Sequence, residues 1–291
     1  MSGDIPPFIF ALIAAVLFAF GTQIQNIGLS QVDSRTGTAI SIAASAALYW
    51  MLAPFLLNGD NWLHSSVFIF ILVGLFRPSV SANLAVAGMR HLGPTLSMTL
   101  SSTSPLFGVA FGVLWLNETL TWPVIAGTFG IIFAVLILSK RSSKTVESWP
   151  VWALGLPIGA AAVRSLSHVL SKIGMVGIPD PYFVGLVCFS VSALVTMATN
   201  RVGNASRPIS WRQHGPYWFL LSGFFMGTAI LALNTALLSG DIITVIPIVA
   251  SAPIFTMLFS ILIFRREHLT MRVVTAVLIV VPSVILIALN Q

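Results

Sequence analysis

Apolar runs of about 20 residues, each free of acidic side chains, recur along the whole chain. That recurrence limits the fold more than any single residue does, because about 20 apolar residues in a helix cross the hydrocarbon core of a bilayer. On this ruler ten spans are predicted, at 5–29, 37–57, 66–89, 93–116, 121–139, 150–171, 182–199, 216–238, 242–264 and 271–289. Barrel strands would alternate polar and apolar residues, and these runs do not. Charged residues make up only 8% of the chain and hydrophobic ones 57%, with a mean hydropathy of +0.97. A soluble domain carries roughly 25% charged residues, so the sequence reads as an integral membrane protein. The N-terminus lacks a basic n-region and runs straight into the first span, so no separate signal peptide is expected. The single cysteine, Cys188, excludes an intramolecular disulfide and offers no metal cluster.

The formal net charge of +6 does not call for nucleic acid, because the basic residues stand singly or in small groups at span ends. The connections after spans 1, 3, 5, 7 and 9 hold Arg35, Arg90, Lys140, Arg141, Lys144, Arg201, Arg207, Arg212, Arg265, Arg266 and Arg272, and the opposite side holds Lys172 alone. Connections rich in Lys and Arg stay cytoplasmic, which predicts both termini outside. A multi-pass protein of the plasma (bacterial inner) membrane, monomer or homodimer, is expected.

The basic, Ser/Thr-rich stretch 140–149 divides the chain into five spans at 1–139 and five at 150–291. The second half repeats the first. Residues 102–121 (STSPLFGVAFGVLWLNETLT) align with 250–270 (ASAPIFTMLFSILIFRREHLT), placing Pro105 against Pro253 at a separation of 148 and Glu118 against Glu267 at 149. In the first spans Thr22, Gln25 and Asn26 fall against Arg164, Ser167 and His168 at a separation of 142. An odd number of spans per half makes the two copies insert in opposite directions. Inverted repeats of this kind let a transporter open alternately on two faces around one central site.

Two five-span halves, a proline in the fourth span and a glutamate before Leu-Thr at its end (Glu118, Leu120, Thr121; Glu267, Leu269, Thr270) resemble the EamA family of the drug/metabolite transporter superfamily. The resemblance covers nearly the whole chain. It implies an exporter or exchanger of small metabolites, with a central cavity lined by the first, third and fourth spans of each half.

Among polar residues inside spans, Arg77 stands out at the middle of span 3, roughly 17 Å from either end at 1.5 Å per residue. A cation at that depth is costly in lipid and is expected to face a cavity or a partner. Pro78 follows it and should loosen the helix by freeing a carbonyl one turn earlier. Arg77 is therefore the leading candidate to bind a carboxylate or phosphate. Arg164 and, one turn on, His168 join Thr22, Gln25 and Asn26 as a polar stripe repeated in both halves. Asn83 and Asn234 are further candidates, although packing between helices is the favoured role for both. The small residues Ser97, Ser101, Ser104, Gly108 and Gly112 read as a close-packing face. Pro105 and Pro253 are expected to bend their helices, and Glu118 and Glu267 to favour the positive ends of helix dipoles at helix starts.

All eight acidic residues lie at span ends or in loops. An exporter of cations driven by protons needs a buried carboxylate, and none is evident. Buried positive charge alone points to an anionic or zwitterionic solute such as an amino acid, with efflux of cationic or hydrophobic compounds as the alternative. A membrane enzyme would show a paired constellation such as His-Glu-x-x-His; the five histidines are scattered over different elements. No catalytic residue, metal or cofactor is expected. A receptor would need neither matched halves nor a cation at mid-depth. The sequence thus predicts an all-α, ten-span transporter of a small-molecule substrate.

Overall fold

Inside a bilayer a peptide group finds no water, so each must be bonded by the chain itself, and a helix does this within one segment. The computed structural model describes residues 5–77, 80–81, 84, 87–88, 91–92, 97, 100–139, 150–202 (backbone alone over 200–202), 214–264 and 270–289. Among these it contains eleven α-helices and no strand. They are α1 (Pro7–Gly28), α2 (Ser34–Leu56), α3 (Ser66–Phe76), α4 (Ser104–Leu116), α5 (Trp122–Ser139), α6 (Gly155–Gly177), α7 (Pro181–Val202), α8 (Gly215–Ser239), α9 (Ile242–Val249), α10 (Ala252–Leu262) and α11 (Met271–Ala288). Pro78, Asn83, Glu267 and the connection 140–149 lie outside the described residues.

Local chemistry sets the helix starts. Asp33 accepts from the Thr36 N–H at 2.9 Å and caps α2. Asp180 accepts from the Tyr182 and Phe183 N–H groups, both at 3.0 Å, and caps α7. Each carboxylate fills donors that no helical carbonyl reaches.

Among the described residues seven helical stretches are long and apolar enough to cross a membrane, α9 and α10 counting as one. Three shorter apolar helices, Ser66–Phe76, Ser104–Leu116 and Trp122–Leu138, stand where the third, fourth and fifth spans were expected. The outer surface is apolar: Phe55 is 83% exposed and Leu278 69%. In water such a surface would drive association, whereas in a membrane it is the lipid-facing side.

Three spans depart from the continuous helices expected. Helix α3 stops at Phe76 and Arg77 is extended, with φ −119° and ψ 129°. The next residue in the sequence is a proline, and a residue before proline is pushed out of the α region. The fourth span breaks at Ser102 and Thr103, and the ninth breaks at Ala250 and Ser251. Pro105 and Pro253 therefore do not bend a running helix. Each sits in the first turn of a new one, where a missing N–H costs nothing.

Both breaks are built alike. The Thr103 N–H donates to Leu100 O (3.2 Å) and the Leu106 N–H to Thr103 O (2.9 Å). In the second half the Ser251 N–H donates to Ile248 O (3.0 Å) and the Ile254 N–H to Ser251 O (2.9 Å). The Thr103 and Ser251 hydroxyls make matching bonds to Leu100 O and Ile248 O, each of 2.6 Å. Every pair is offset by 148 residues, the separation of Pro105 from Pro253.

Helix pairing is reciprocal between 1–139 and 150–291. The first helix of each half packs on the third of the other (α1 on α8, α6 on α3), and so does the second (α2 on α8, α7 on α3). Helix α1 also meets α9 and α10 while α6 meets α4, and the pairs α2–α7, α4–α9 and α5–α11 match like with like. Small residues allow the closest approaches. Gly223 faces the backbone of Ser41, where a Cβ would lie 2.4 Å from the carbonyl oxygen, and the Ser45 hydroxyl donates to Gly223 O at 2.7 Å. Four alanines of α1 (Ala11, Ala14, Ala15, Ala19) are fully buried.

Candidate functional site

Where α1, α3, α6 and the two broken spans converge, the bundle is hollow. A cavity of about 670 Å³ is lined by Gln25, Arg77, Arg164, His168, Ser81, Ser97, Ser101, Ser102, Ser104 and Pro105 from one direction and by Ile246, Ala250, Ala252 and Pro253 from the other. A smaller hollow of about 190 Å³ is lined by Ser41, Ser45, Val73, Ser171, Cys188, Ser192, Ile230 and Asn234. Phe18, Gln25, Arg77 and Met226 belong to the walls of both.

Arg77 thus stands at the junction. Its extended backbone is held by α7: the Ser192 hydroxyl bonds to Arg77 O (2.6 Å) and to Gly74 O (2.9 Å). Gly74 lies four residues before Pro78, so its carbonyl is the one deprived of a helical partner. The Arg77 Nη1 group donates to His168 Nδ1 at 3.2 Å. Arginine has no acceptor, so Nδ1 receives, and Nε2 carries the proton of a neutral ring. That is one of the five guanidinium N–H donors, and the others have no protein partner among the described residues.

Arg164 lies one turn before His168 on α6 and is exposed to the larger cavity. It makes no hydrogen bond or ion pair among the described residues. No carboxylate lines either hollow among those residues. Asp33 and Asp180 cap helices, Asp60 sits in the turn Gly59–Leu63, and Glu118 and Asp241 surround Lys172. The first turns of α4 and α10 also open on the larger cavity, and helix N-termini carry partial positive charge. The larger cavity therefore has positively charged groups on its wall, with serine hydroxyls around them.

The remaining predicted residues divide. Gln25 lines both hollows and its Nε2 reaches Ser41 Oγ at 3.4 Å. Asn234 is buried, donates to Pro181 O at 3.2 Å and lines the smaller hollow. Thr22 lines neither and returns its proton to Phe18 O of its own helix at 2.8 Å. Asn26 is exposed and lines neither. Of the small stripe in span 4, Ser97, Ser101 and Ser104 line the cavity, Ser104 also meets Ser165 of α6 (Oγ to Oγ 3.0 Å, and Ser165 Oγ to Ser104 O 2.7 Å), and the glycines serve close packing.

Ser192 and Ser171 were missed by sequence reasoning. A serine one turn from a carbonyl it can back-bond gives no sign of which other surface it faces. Glu118 does neutralise a helix start, but that of α9 in the other half rather than of the helix that follows it. Its Oε1 accepts from the Ile242 N–H (2.9 Å) and from Lys172 Nζ (2.8 Å), and its Oε2 from the Ile243 N–H (3.0 Å). Among the described residues no three His, Cys, Asp or Glu side chains come together as a metal site.

The sequence profile of the EamA-like transporter family matches the chain twice, over residues 5–140 and 151–289. An uncharacterized transporter of Archaeoglobus fulgidus is 27% identical over 134 residues, which are 44% of this chain and 46% of that one. The chain thus spans about half the length of this curated relative. A protein solved by crystallography superposes with a TM-score of 0.82 over 98% of this chain and 96% of its own, at 14% identity, a likeness of fold.

Proposed function

Because the chain belongs to the EamA-like transporter family, we propose that this membrane transporter moves a small anionic or zwitterionic metabolite, an amino acid being the leading kind, as an exporter or exchanger. The observation that carries the reading is the pair of guanidiniums, Arg77 and Arg164, on the wall of one cavity that no described carboxylate lines. A cationic solute finds only repulsion there. Arg77 supplies paired N–H donors for a carboxylate, and the helix starts at Ser104 and Ala252 add to the attraction.

Alternating access between two inverted repeats, each of five spans, is the mechanism. The profile matches on both halves, the reciprocal helix pairs and the equivalent breaks support it. Both termini are outside, in a plasma membrane. The cavity wall is drawn from both halves of one chain, which favours the monomer as the transporting unit.

Uptake and counterflow in proteoliposomes, with a panel of amino acids, organic acids, nucleotides and cations, test the reading. Arg77→Ala removes a charge-assisted bond worth roughly 1.5–3 kcal/mol, so transport of the preferred anion falls about 10- to 100-fold. Equal transport of every active solute by the variant removes Arg77 from the site.

A further inference from the structure

At one end of the cavity the two halves are joined by a small ionic knot that solute recognition does not use. Helix α4 ends in a left-handed residue, Asn117 (φ 54°), and the Glu118 N–H turns back to Gly112 O at 3.2 Å. The Asn117 N–H returns to the same carbonyl, and this left-handed ending aims the Glu118 side chain at α9. Gly112 leaves room for it: a Cβ there would lie 2.9 Å from Glu118 Oε2 and 2.9 Å from Ile243 Cγ2.

The carboxylate is 5% exposed and both its oxygens are occupied, by Lys172 and by the first two N–H groups of α9. Lys172 also donates to Gly240 O (2.8 Å) and lies 3.6 Å from Asp241 Oδ1. Bonds therefore run from the first half (Glu118) to two separate elements of the second, α6 and the α8–α9 junction. Below the knot Ile243 and Ile246 press on Gly112 and Gly108, where added Cβ atoms would lie 2.9 and 3.0 Å away. No gap is left between α4 and α9. Beyond the break α10 packs on α1, as α4 packs on α6, with Gln23 Nε2 donating to Thr256 O at 2.7 Å.

The geometry points to Glu118 and Lys172 as the latch that holds this mouth of the cavity closed, and that must be undone when the mouth opens. This rests on the alternating-access reading. By the distribution of Lys and Arg the mouth is the outer one, since Lys172 and the Glu118 connection lie opposite the basic loops. Opening it withdraws the carboxylate from the α9 start and the ammonium from the carboxylate together. The two halves therefore part as units rather than residue by residue.

The test is a distance between spin labels on Leu114→Cys of α4 and Leu238→Cys of α8, in full-length protein carrying Cys188→Ala, reconstituted in lipid. Both positions are exposed, on helices of different halves. Glu118→Gln replaces one acceptor with a donor that faces either Lys172 or an α9 N–H group. Lys172→Met removes the cation and leaves the α9 cap in place, so it carries the test if Glu118→Gln does not fold. A short distance is expected without either change, and a longer population that becomes the larger one with each. An unchanged distance in folded variants ends the latch. The measurement needs no solute, so wild-type protein that moves no member of the panel overturns the transport reading and leaves the latch result standing.

Discussion

The two broken spans share one local design and continue into different residues. Thr103 and Ser251 make the same turn, the same hydroxyl bond and the same proline-led restart. After the restart, α4 presents Gly108 and Gly112 to Ile246 and Ile243 and lies flush on α9. At the corresponding points, 148 residues on, α10 carries Thr256 and Ser260, and it lies on α1 as α4 lies on α6. Equal turns followed by glycines in one half and by Thr256 and Ser260 in the other teach that the break sets where the helix restarts, while the residues one and two turns later set how closely a neighbour can approach it.

The largest expected effect comes from forcing the closed side apart. Gly112→Leu puts a branched side chain where a single Cβ already meets the Glu118 carboxylate and Ile243. Overpacking of that order costs about 1–3 kcal/mol. A lowered melting temperature in detergent, together with the longer spin-label distance described above, is the expected result; wild-type values for both would show that α4 and α9 are not held flush. An intermediate effect is expected from Pro105→Ala and Pro253→Ala, each of which restores an N–H and lets the helix run through its break. Counterflow slows in both variants, and a change in only one would mean that the two breaks are not equivalent in use. Smallest are Thr103→Ala and Ser251→Ala. Each loses one side-chain bond to backbone, about 0.5–1.5 kcal/mol, and the two melting temperatures fall by the same amount if the turns are alike.

Much of this was legible in the sequence because hydropathy reports burial in lipid directly. The apolar runs and the repeat register of 148 follow from side-chain type and spacing. The breaks were not legible, since Ser101, Ser102, Thr103 and Ser104 before Pro105, and Ala250, Ser251 and Ala252 before Pro253, read as small residues inside a span, and hydropathy does not register a lost backbone bond. At Arg77 the signal was present in the following proline, whose stronger effect falls on the residue before it. Thr22 and Asn26 were grouped with Gln25 by their match to Arg164, Ser167 and His168 at a separation of 142. At i, i+3 and i+4 the three share one broad face of α1, and only Gln25 of them lines the hollows. The partners of Glu118 lie 54 and 124 residues away, a distance that no local pattern spans.

Ser192 has a mechanical consequence. Its hydroxyl grips the two carbonyls on either side of the point where α3 gives way, so the guanidinium of Arg77 is suspended from a helix of the opposite half. A displacement of α7 relative to α3 is expected to carry the charge along with it, as cargo rides a hoist.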